Sequence, residues 1–128
     1  MFYITGDTHR DFERIILFCL ENKTTRDDVL IILGDAGINY YGGIKDWYIK
    51  HYLNKLPITL FCIQGNHEQR PFNIETYEEV EMFGAKVYFE KEFDNLIINK
   101  KAAAIKKMQQ PFISVSYTHL RAHETLSD

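Results

Sequence analysis

Three short stretches of the sequence place side chains that bind metals soon after a glycine. Aspartate, histidine and asparagine dominate them, and all three offer oxygen or nitrogen donors to a metal ion. The stretches are Gly6-Asp7-Thr8-His9, Gly34-Asp35 and Gly65-Asn66-His67-Glu68. They recur at similar intervals along the chain, so the elements between them decide whether their side chains meet.

The intervening segments predict strands that alternate with helices, from the length and period of their apolar runs. Strands are predicted at residues 2–5, 29–33 and 58–63, and helices at residues 11–22 and 44–56. This alternation is typical of a parallel sheet, and the near-continuous apolar second and third strands indicate a sheet covered on both faces. Because ligands bind beyond the carboxyl ends of such strands, the three stretches are expected to converge.

The converging set would contain the carboxylates of Asp7 and Asp35, the amide of Asn66 and the imidazoles of His9 and His67. Two carboxylates that lie close repel each other, and one tends to take up a proton. A pair of divalent cations removes that conflict, and oxygen and nitrogen donors without thiolate suit Mn, Fe, Zn or Mg. One such stretch alone is more often a turn, but three in order at strand ends predict a metal centre.

Over about residues 1–98, these stretches resemble the first three sequence blocks of the calcineurin-like metallophosphoesterase superfamily. The resemblance implies an α/β fold of the α-β-β-α sandwich type, whose N-terminal half alternates strands and helices in a mostly parallel sheet. It implies two divalent metal ions, the first bound by Asp7 and His9 and the second by Asn66, with Asp35 bridging both. It also implies that His67 acts as the general acid.

The activity implied by the resemblance is hydrolysis of a phosphate ester by a hydroxide that bridges the two metals. Two metals hold both ends of an in-line displacement, and they lower the pKa of bound water. Arg10 and Arg70 flank two of the stretches and could hold a phosphate oxygen, although a solvated arginine is the commoner case. Tyr40, Tyr41 and Trp47 could form an aromatic wall over the site, although ordinary packing is again commoner.

The sequence departs from the family in its second half. The family has two more blocks, an isolated histidine and a Gly-His-x-His block, but no histidine lies between His67 and His119 here. Arg10 stands where the family often has glycine. We therefore expect a truncated fragment with about half of the site, exposed apolar surface, poor solubility and little activity.

Two other classes of function remain open. The alternative to an enzyme is a non-catalytic module that binds metal or phosphate. A receiver-like signalling domain ranks lower, because the third strand is followed by Gly65-Asn66-His67-Glu68 rather than by a phospho-accepting aspartate.

The last residues resemble a translated sequencing adapter of the transposase type. Residues 115–128 read VSYTHLRAHETLSD, and residues 115–125 match the adapter in one frame without a mismatch. We therefore divide the chain into a truncated calcineurin-like phosphoesterase domain, residues 1–114, and an adapter-like non-native tail, residues 115–128. His119 and His123 have the spacing of a helical metal pair, but they fall in this tail and are left out of the metal set.

The periodic pattern weakens between the third stretch and the tail. The acidic residues 75–81 predict a helix, and residues 86–89 and 96–98 predict short strands that could form a hairpin. Residues 100–110 place lysines around three alanines, which is typical of a solvated helix face.

Composition narrows the class of protein. The 128 residues allow one domain, and 45% hydrophobic and 26% charged residues are typical of a globular chain. The 15 basic and 18 acidic residues give a net charge of -3, which argues against nucleic-acid and membrane partners. Cys19 and Cys62 lie inside apolar runs and no signal peptide is evident, so we expect a reduced, cytoplasmic protein. Its partner, as the resemblance implies, would be a phosphate-ester substrate.

Overall fold

A computed structural model describes residues 1–6, 8, 11–34, 36–64, 74–82, 84–99 and 111–115. Within these ranges the chain forms seven strands and two helices. The strands are β1 (Phe2–Thr5), β2 (Val29–Leu33), β3 (Thr59–Ile63), β4 (Tyr77–Met82), β5 (Ala85–Glu90), β6 (Phe93–Asn99) and β7 (Phe112–Ser114). The helices are α1 (Phe12–Asn22) and α2 (Ile44–Asn54). The predicted strand–helix alternation of the first half is confirmed, with ends that differ by a residue or two.

All seven strands belong to one sheet in the order β4-β5-β6-β3-β2-β1-β7. The pairs β1–β2, β2–β3, β3–β6 and β1–β7 are parallel, whereas β4–β5 and β5–β6 are antiparallel. The sheet is therefore mostly parallel, as predicted, with an antiparallel hairpin at one margin. Residues 86–89 and 96–98 form strands in adjacent antiparallel positions, which confirms their pairing.

Both helices pack on the same face of the sheet. Ile15 and Phe18 from α1 and Leu53 from α2 join Leu30 and Leu60 in one buried cluster. In α1 the apolar period explains this packing, because apolar side chains such as Ile15 and Phe18 recur on the face toward the sheet. The buried residues of α2 are instead Asp46, Lys50 and Leu53. Each helix has 11 residues, and no helix in the described ranges is long and apolar enough to span a membrane.

The opposite face of the sheet carries a second buried cluster. Ile31, Phe61 and Val87 are fully buried there, and Val80 and Phe112 pack against them. The apolar runs of β2 and β3 are thus buried on both faces, as predicted. We expected this chain to expose apolar surface. The residues of this second cluster do not form such a surface, because they are buried or partly buried. The fold is a mixed α/β architecture consistent with a metallophosphoesterase-type sandwich.

The prediction of a helix at residues 75–81 is wrong. Residues 77–82 form β4, which pairs antiparallel with β5 from Tyr77↔Glu90 to Met82↔Ala85. Val80 and Met82 reach the second buried cluster, while Glu78 stays exposed. Burial of these apolar side chains on the sheet outweighs the local helix preference of glutamate. The prediction of a helix at residues 100–110 lies outside the described residues.

Candidate metal centre

The side chains predicted to bind metal or act as the general acid lie outside the described residues. They are Asp7, His9, Asp35, Asn66 and His67. Arg10 and Arg70 also lie outside them. The structure does describe the strands that lead to these positions and several immediate neighbours, and these fix where the three stretches begin.

The strands that precede the three stretches are adjacent and parallel, and they end at one edge of the sheet. The register pairs Thr5 of β1 with Ile32 of β2, and Leu33 of β2 with Ile63 of β3. The residues that follow these strands therefore leave the sheet at nearly the same level. Since neighbouring strands lie about 4.8 Å apart, the outer two of these three strand ends are separated by roughly 10 Å. We call this the carboxyl edge.

Two glycines at the carboxyl edge differ in conformation. Gly34 has φ of 94°, a left-handed conformation that side chains rarely adopt, so the turn after β2 requires glycine. Gly6 does not have a positive φ, so the backbone after β1 does not require glycine for this reason. A Cβ placed on Gly6 would meet no atom within 4 Å, so the end of β1 faces open space in the part of the chain described.

The backbone that follows Asp35 is packed into the molecule. Ala36, Ile38 and Asn39 are each almost fully buried, and the Asn39 amide donates a hydrogen bond of 2.8 Å to the Tyr77 hydroxyl. These contacts tie the loop after β2 to β4. In the sequence, Asp35 therefore stands between the turn at Gly34 and this buried loop.

Asp46 holds the same loop against α2, a role that sequence analysis missed. Its carboxylate accepts hydrogen bonds from the backbone N–H groups of Tyr41, at 3.0 Å, and Gly42, and the side chain is buried. An acidic residue in the first turn of a predicted helix was the available signal, because such residues often accept hydrogen bonds from nearby backbone N–H groups.

Thr8 is the one described residue between two predicted ligands. It is 1% exposed, and its Oγ1 has no hydrogen-bond partner in the described structure. Its backbone oxygen accepts a bond of 2.9 Å from the Asp11 N–H, just before α1. Buried polar atoms without partners are rare and often mark a missing water or ion. The orphaned hydroxyl and the open space at Gly6 fit a site that takes up a polar group.

The aromatic residues after β2 are mainly engaged in packing. Trp47 stacks on His51 with ring centroids 4.9 Å apart, and its Nε1 donates to Glu92 at 3.1 Å. Tyr40 and Tyr41 contact each other edge to face at 5.0 Å. Of the two interpretations considered for this group, ordinary packing therefore describes Trp47, whose ring stacks on His51 and whose Nε1 donates to Glu92.

A groove of about 410 Å³ runs between the start of α1 and the exposed side of α2. Phe12, Tyr48 and Tyr52 form its apolar lining, with Asp11 and Glu13 on the α1 side. Asp11 pairs with the Arg14 Nε at 2.7 Å. Because Asp11 follows His9 by two positions, the groove begins beside the first glycine-led stretch.

The described residues outside the three stretches contain no alternative metal centre. No three His, Cys, Asp or Glu side chains among them are grouped to hold a metal ion. Cys19 and Cys62 are buried, as predicted, and form no disulfide, and burial raises the pKa of the Cys19 thiol. The carboxyl edge therefore stays the candidate site.

Comparison with known proteins gives one match. The family model described as calcineurin-like phosphoesterase matches residues 1–121. The match extends beyond residue 98, where we expected the resemblance to end, and into the adapter-like tail, so the division at residue 114 stays a prediction. No curated protein and no solved structure matches the chain.

Proposed function

The chain belongs to the calcineurin-like phosphoesterase family, and from this premise we propose that it hydrolyses a phosphate ester at a two-metal site on its carboxyl edge. The observation that carries this proposal is the register of β1, β2 and β3. It aligns the starts of three stretches rich in metal ligands on neighbouring strands. Such an edge is where α/β sheets bind ligands.

Four side chains would hold the metals in this proposal: Asp7 and His9 the first ion, Asn66 the second, and Asp35 both. Divalent metals bound there supply a nucleophile from water at neutral pH and positive charge for the phosphoryl oxygens. The chain's own acid is His67, whose imidazole would protonate the oxygen of the departing alcohol, an effect of about 10²–10⁴ in rate. The buried loop behind Asp35 would fix the bridging carboxylate.

The groove between α1 and α2 supports a proposal for the kind of leaving group that the site accepts. Its apolar lining of Phe12, Tyr48 and Tyr52 suits an aromatic group. Glu13 on its rim would repel a second phosphate, so a neutral aromatic alcohol is favoured over a polyanionic one. We therefore expect an aryl phosphate monoester to be a better substrate than an alkyl diphosphate.

The metal site is tested most directly by Mn²⁺ binding. We expect Asp7→Asn and Asp35→Asn each to weaken Mn²⁺ binding by tenfold or more in calorimetric titration, because each removes a charged ligand. Asp27→Asn is the matched control, since Asp27 is exposed and lies before β2 at the other end of the strand. It should bind Mn²⁺ like the wild-type chain.

Hydrolysis of p-nitrophenyl phosphate in Mn²⁺ and in EDTA then separates an enzyme from a binding module. Metal-dependent turnover that falls with His67→Ala supports the hydrolase, even if the rate of this chain is low. Mn²⁺ binding lost in both aspartate variants, without any metal-dependent turnover, supports the non-catalytic module instead. Mn²⁺ binding unchanged by both aspartate variants would exclude the carboxyl edge as the metal site.

A further inference from the structure

The Thr8 hydroxyl is a buried donor without a partner. The side chain is 1% exposed, yet Oγ1 makes no hydrogen bond in the described structure. Leaving such a group buried and unpaired is unfavourable, and folded proteins seldom do so without a functional reason. The backbone of Thr8 is already used, since its oxygen accepts from the Asp11 N–H at 2.9 Å. The hydroxyl, unlike the backbone oxygen, therefore has no hydrogen-bond partner in the described structure.

The position of Thr8 limits what its partner can be. It lies between Asp7 and His9, at the end of a strand whose Gly6 faces open space. Side chains that bind metals are usually held in place by hydrogen bonds from neighbouring groups. A threonine hydroxyl has one proton to donate, and an ionised carboxylate is its strongest acceptor.

We propose that Thr8 is a positioning residue whose hydroxyl donates a hydrogen bond to a carboxylate of the metal-binding set once divalent cations are bound. The inference rests on the proposed function, because the carboxylates that would accept this bond are the proposed metal ligands. Oγ1 has no partner in the described structure, so the bond belongs to the metal-bound state. Removing the hydroxyl should then weaken metal binding without destabilising the metal-free fold.

Two substitutions at Thr8 separate the hydroxyl from the shape of the side chain. Thr8→Val keeps the volume and removes the donor, whereas Thr8→Ser keeps the donor. Thr24→Val is the matched control, because Thr24 is also buried but its hydroxyl donates to the Pro57 oxygen at 2.6 Å. All three are compared with the wild-type chain by urea unfolding in EDTA and by calorimetric titration with MnCl₂.

We expect Thr8→Val to unfold in EDTA at the same urea concentration as the wild type or at a higher one. Its Kd for Mn²⁺ should rise tenfold to a hundredfold, the usual effect of losing a hydrogen bond to a metal ligand. Thr8→Ser should stay within about threefold of the wild-type Kd. Thr24→Val should show the reverse pattern, with a lower urea midpoint and an unchanged Kd.

Two results would overturn the proposal and leave the proposed function intact. One is a Thr8→Val chain that is destabilised in EDTA as much as Thr24→Val is, because the hydroxyl would then already have a partner in the metal-free fold. The other is an unchanged Mn²⁺ affinity whatever the urea midpoint. If the wild-type chain itself binds no Mn²⁺, and Asp7→Asn behaves identically, the proposed metal site and the role of Thr8 fail together.

Discussion

The polar groups at the two ends of the strands in this sheet differ in whether they have hydrogen-bond partners in the described structure. At the amino edge, where β1, β2, β3 and β6 begin, polar groups bind one another. The Thr59 hydroxyl donates to the Arg26 oxygen at 2.7 Å, and the Met1 amino group pairs with Asp28 at 3.1 Å. At the carboxyl edge, the buried hydroxyl of Thr8 has no partner and Gly34 has a positive φ.

This difference separates stability from function along a single set of strands. Mutually satisfied polar groups contribute to the free energy of unfolding, and they offer nothing to a ligand. An unpaired hydroxyl and a strained turn lower stability, and such features persist mainly where a site uses them. Substitutions at the amino edge should therefore change stability without changing Mn²⁺ affinity.

The largest effect at the amino edge is expected from Lys50→Met. Lys50 Nζ binds Glu90 Oε1 at 2.7 Å, both side chains are buried, and Thr76 donates to the other carboxylate oxygen. Removing the cation leaves a buried carboxylate without its countercharge, which should cost about 3–5 kcal/mol of unfolding free energy. Urea unfolding of the variant measures this loss.

Two controls test whether that loss comes from the unpaired charge. Lys45→Met makes the same change on the same helix at an exposed residue, and should cost less than about 1 kcal/mol. The double variant Lys50→Met/Glu90→Leu should recover most of the stability, because replacing a buried pair by apolar groups is often neutral. A double variant as unstable as Lys50→Met alone would contradict this explanation.

Asn95→Ala should have the next largest effect. The Asn95 amide nitrogen donates to the oxygens of Leu53 and Ile58, at 3.3 and 3.0 Å, and its oxygen accepts from Asn54 at 2.6 Å. Truncation leaves buried carbonyl groups unsatisfied at the end of α2, which should cost about 2–3 kcal/mol.

Asp94→Ala is the control for Asn95→Ala, because the neighbouring Asp94 is 68% exposed and pairs with Arg26 at 3.0 Å. Its cost should be less than about 1 kcal/mol. Both variants should keep wild-type Mn²⁺ affinity. A tenfold loss of affinity in Asn95→Ala would mean that the two edges are coupled.

How far the fold could be predicted depended on the apolar runs. β2 is five consecutive apolar residues, and a run of this kind indicates a buried strand. β4 alternates apolar residues with glutamates whose local preference favours a helix, so only its place beside β5 shows that it is a strand. β7 has three residues and pairs with β1 from the far end of the chain. Sequence periodicity cannot reveal so short and distant a pairing.

The polar residues in and around the candidate site also differ in how well the sequence alone predicts their roles. Asp7 and Asp35 could be predicted as ligands because their residue type and place after a strand point to metal chemistry. The role of Thr8 could not, because a missing hydrogen bond is a property of packing. The Lys50–Glu90 pair joins residues 40 positions apart, and Asp46 acts through backbone groups. Only the folded arrangement brings these partners together.

The carboxyl edge should be sensitive to Gly34→Ala and tolerant of Gly6→Ala. Gly34 has φ of 94°, so a Cβ there strains the backbone and should cost about 1–2 kcal/mol. Gly6 has no positive φ, and its Cβ would meet no atom within 4 Å in the described structure. Its substitution should cost less than about 0.5 kcal/mol.

Mn²⁺ titration of both variants sharpens the contrast between these glycines. Gly34→Ala should weaken Mn²⁺ binding along with stability, because it moves the turn that carries Asp35. If Gly6→Ala lowers the urea midpoint more than Gly34→Ala does, the assignment of backbone strain to the turn after β2 is wrong.

The smallest effect, and one that depends on pH, is expected from Asp28→Asn at the amino edge. The backbone N–H of Thr25, at 2.9 Å, holds the pKa of the Asp28 carboxyl below its ordinary value, and the Met1 ammonium adds to this. A lowered pKa stabilises the fold above the ordinary value near 3.8, and that stability is lost as the pH falls through the lower folded value.

The difference in unfolding free energy between wild type and Asp28→Asn should be less than about 1 kcal/mol at pH 7 and vanish in acid. Asp27→Asn, at the exposed neighbouring residue, is the control and should change the unfolding free energy at pH 7 by less than about 0.5 kcal/mol. A gap between wild type and Asp28→Asn that widened in acid would reverse the sign and rule out this carboxylate as a stabilising contact.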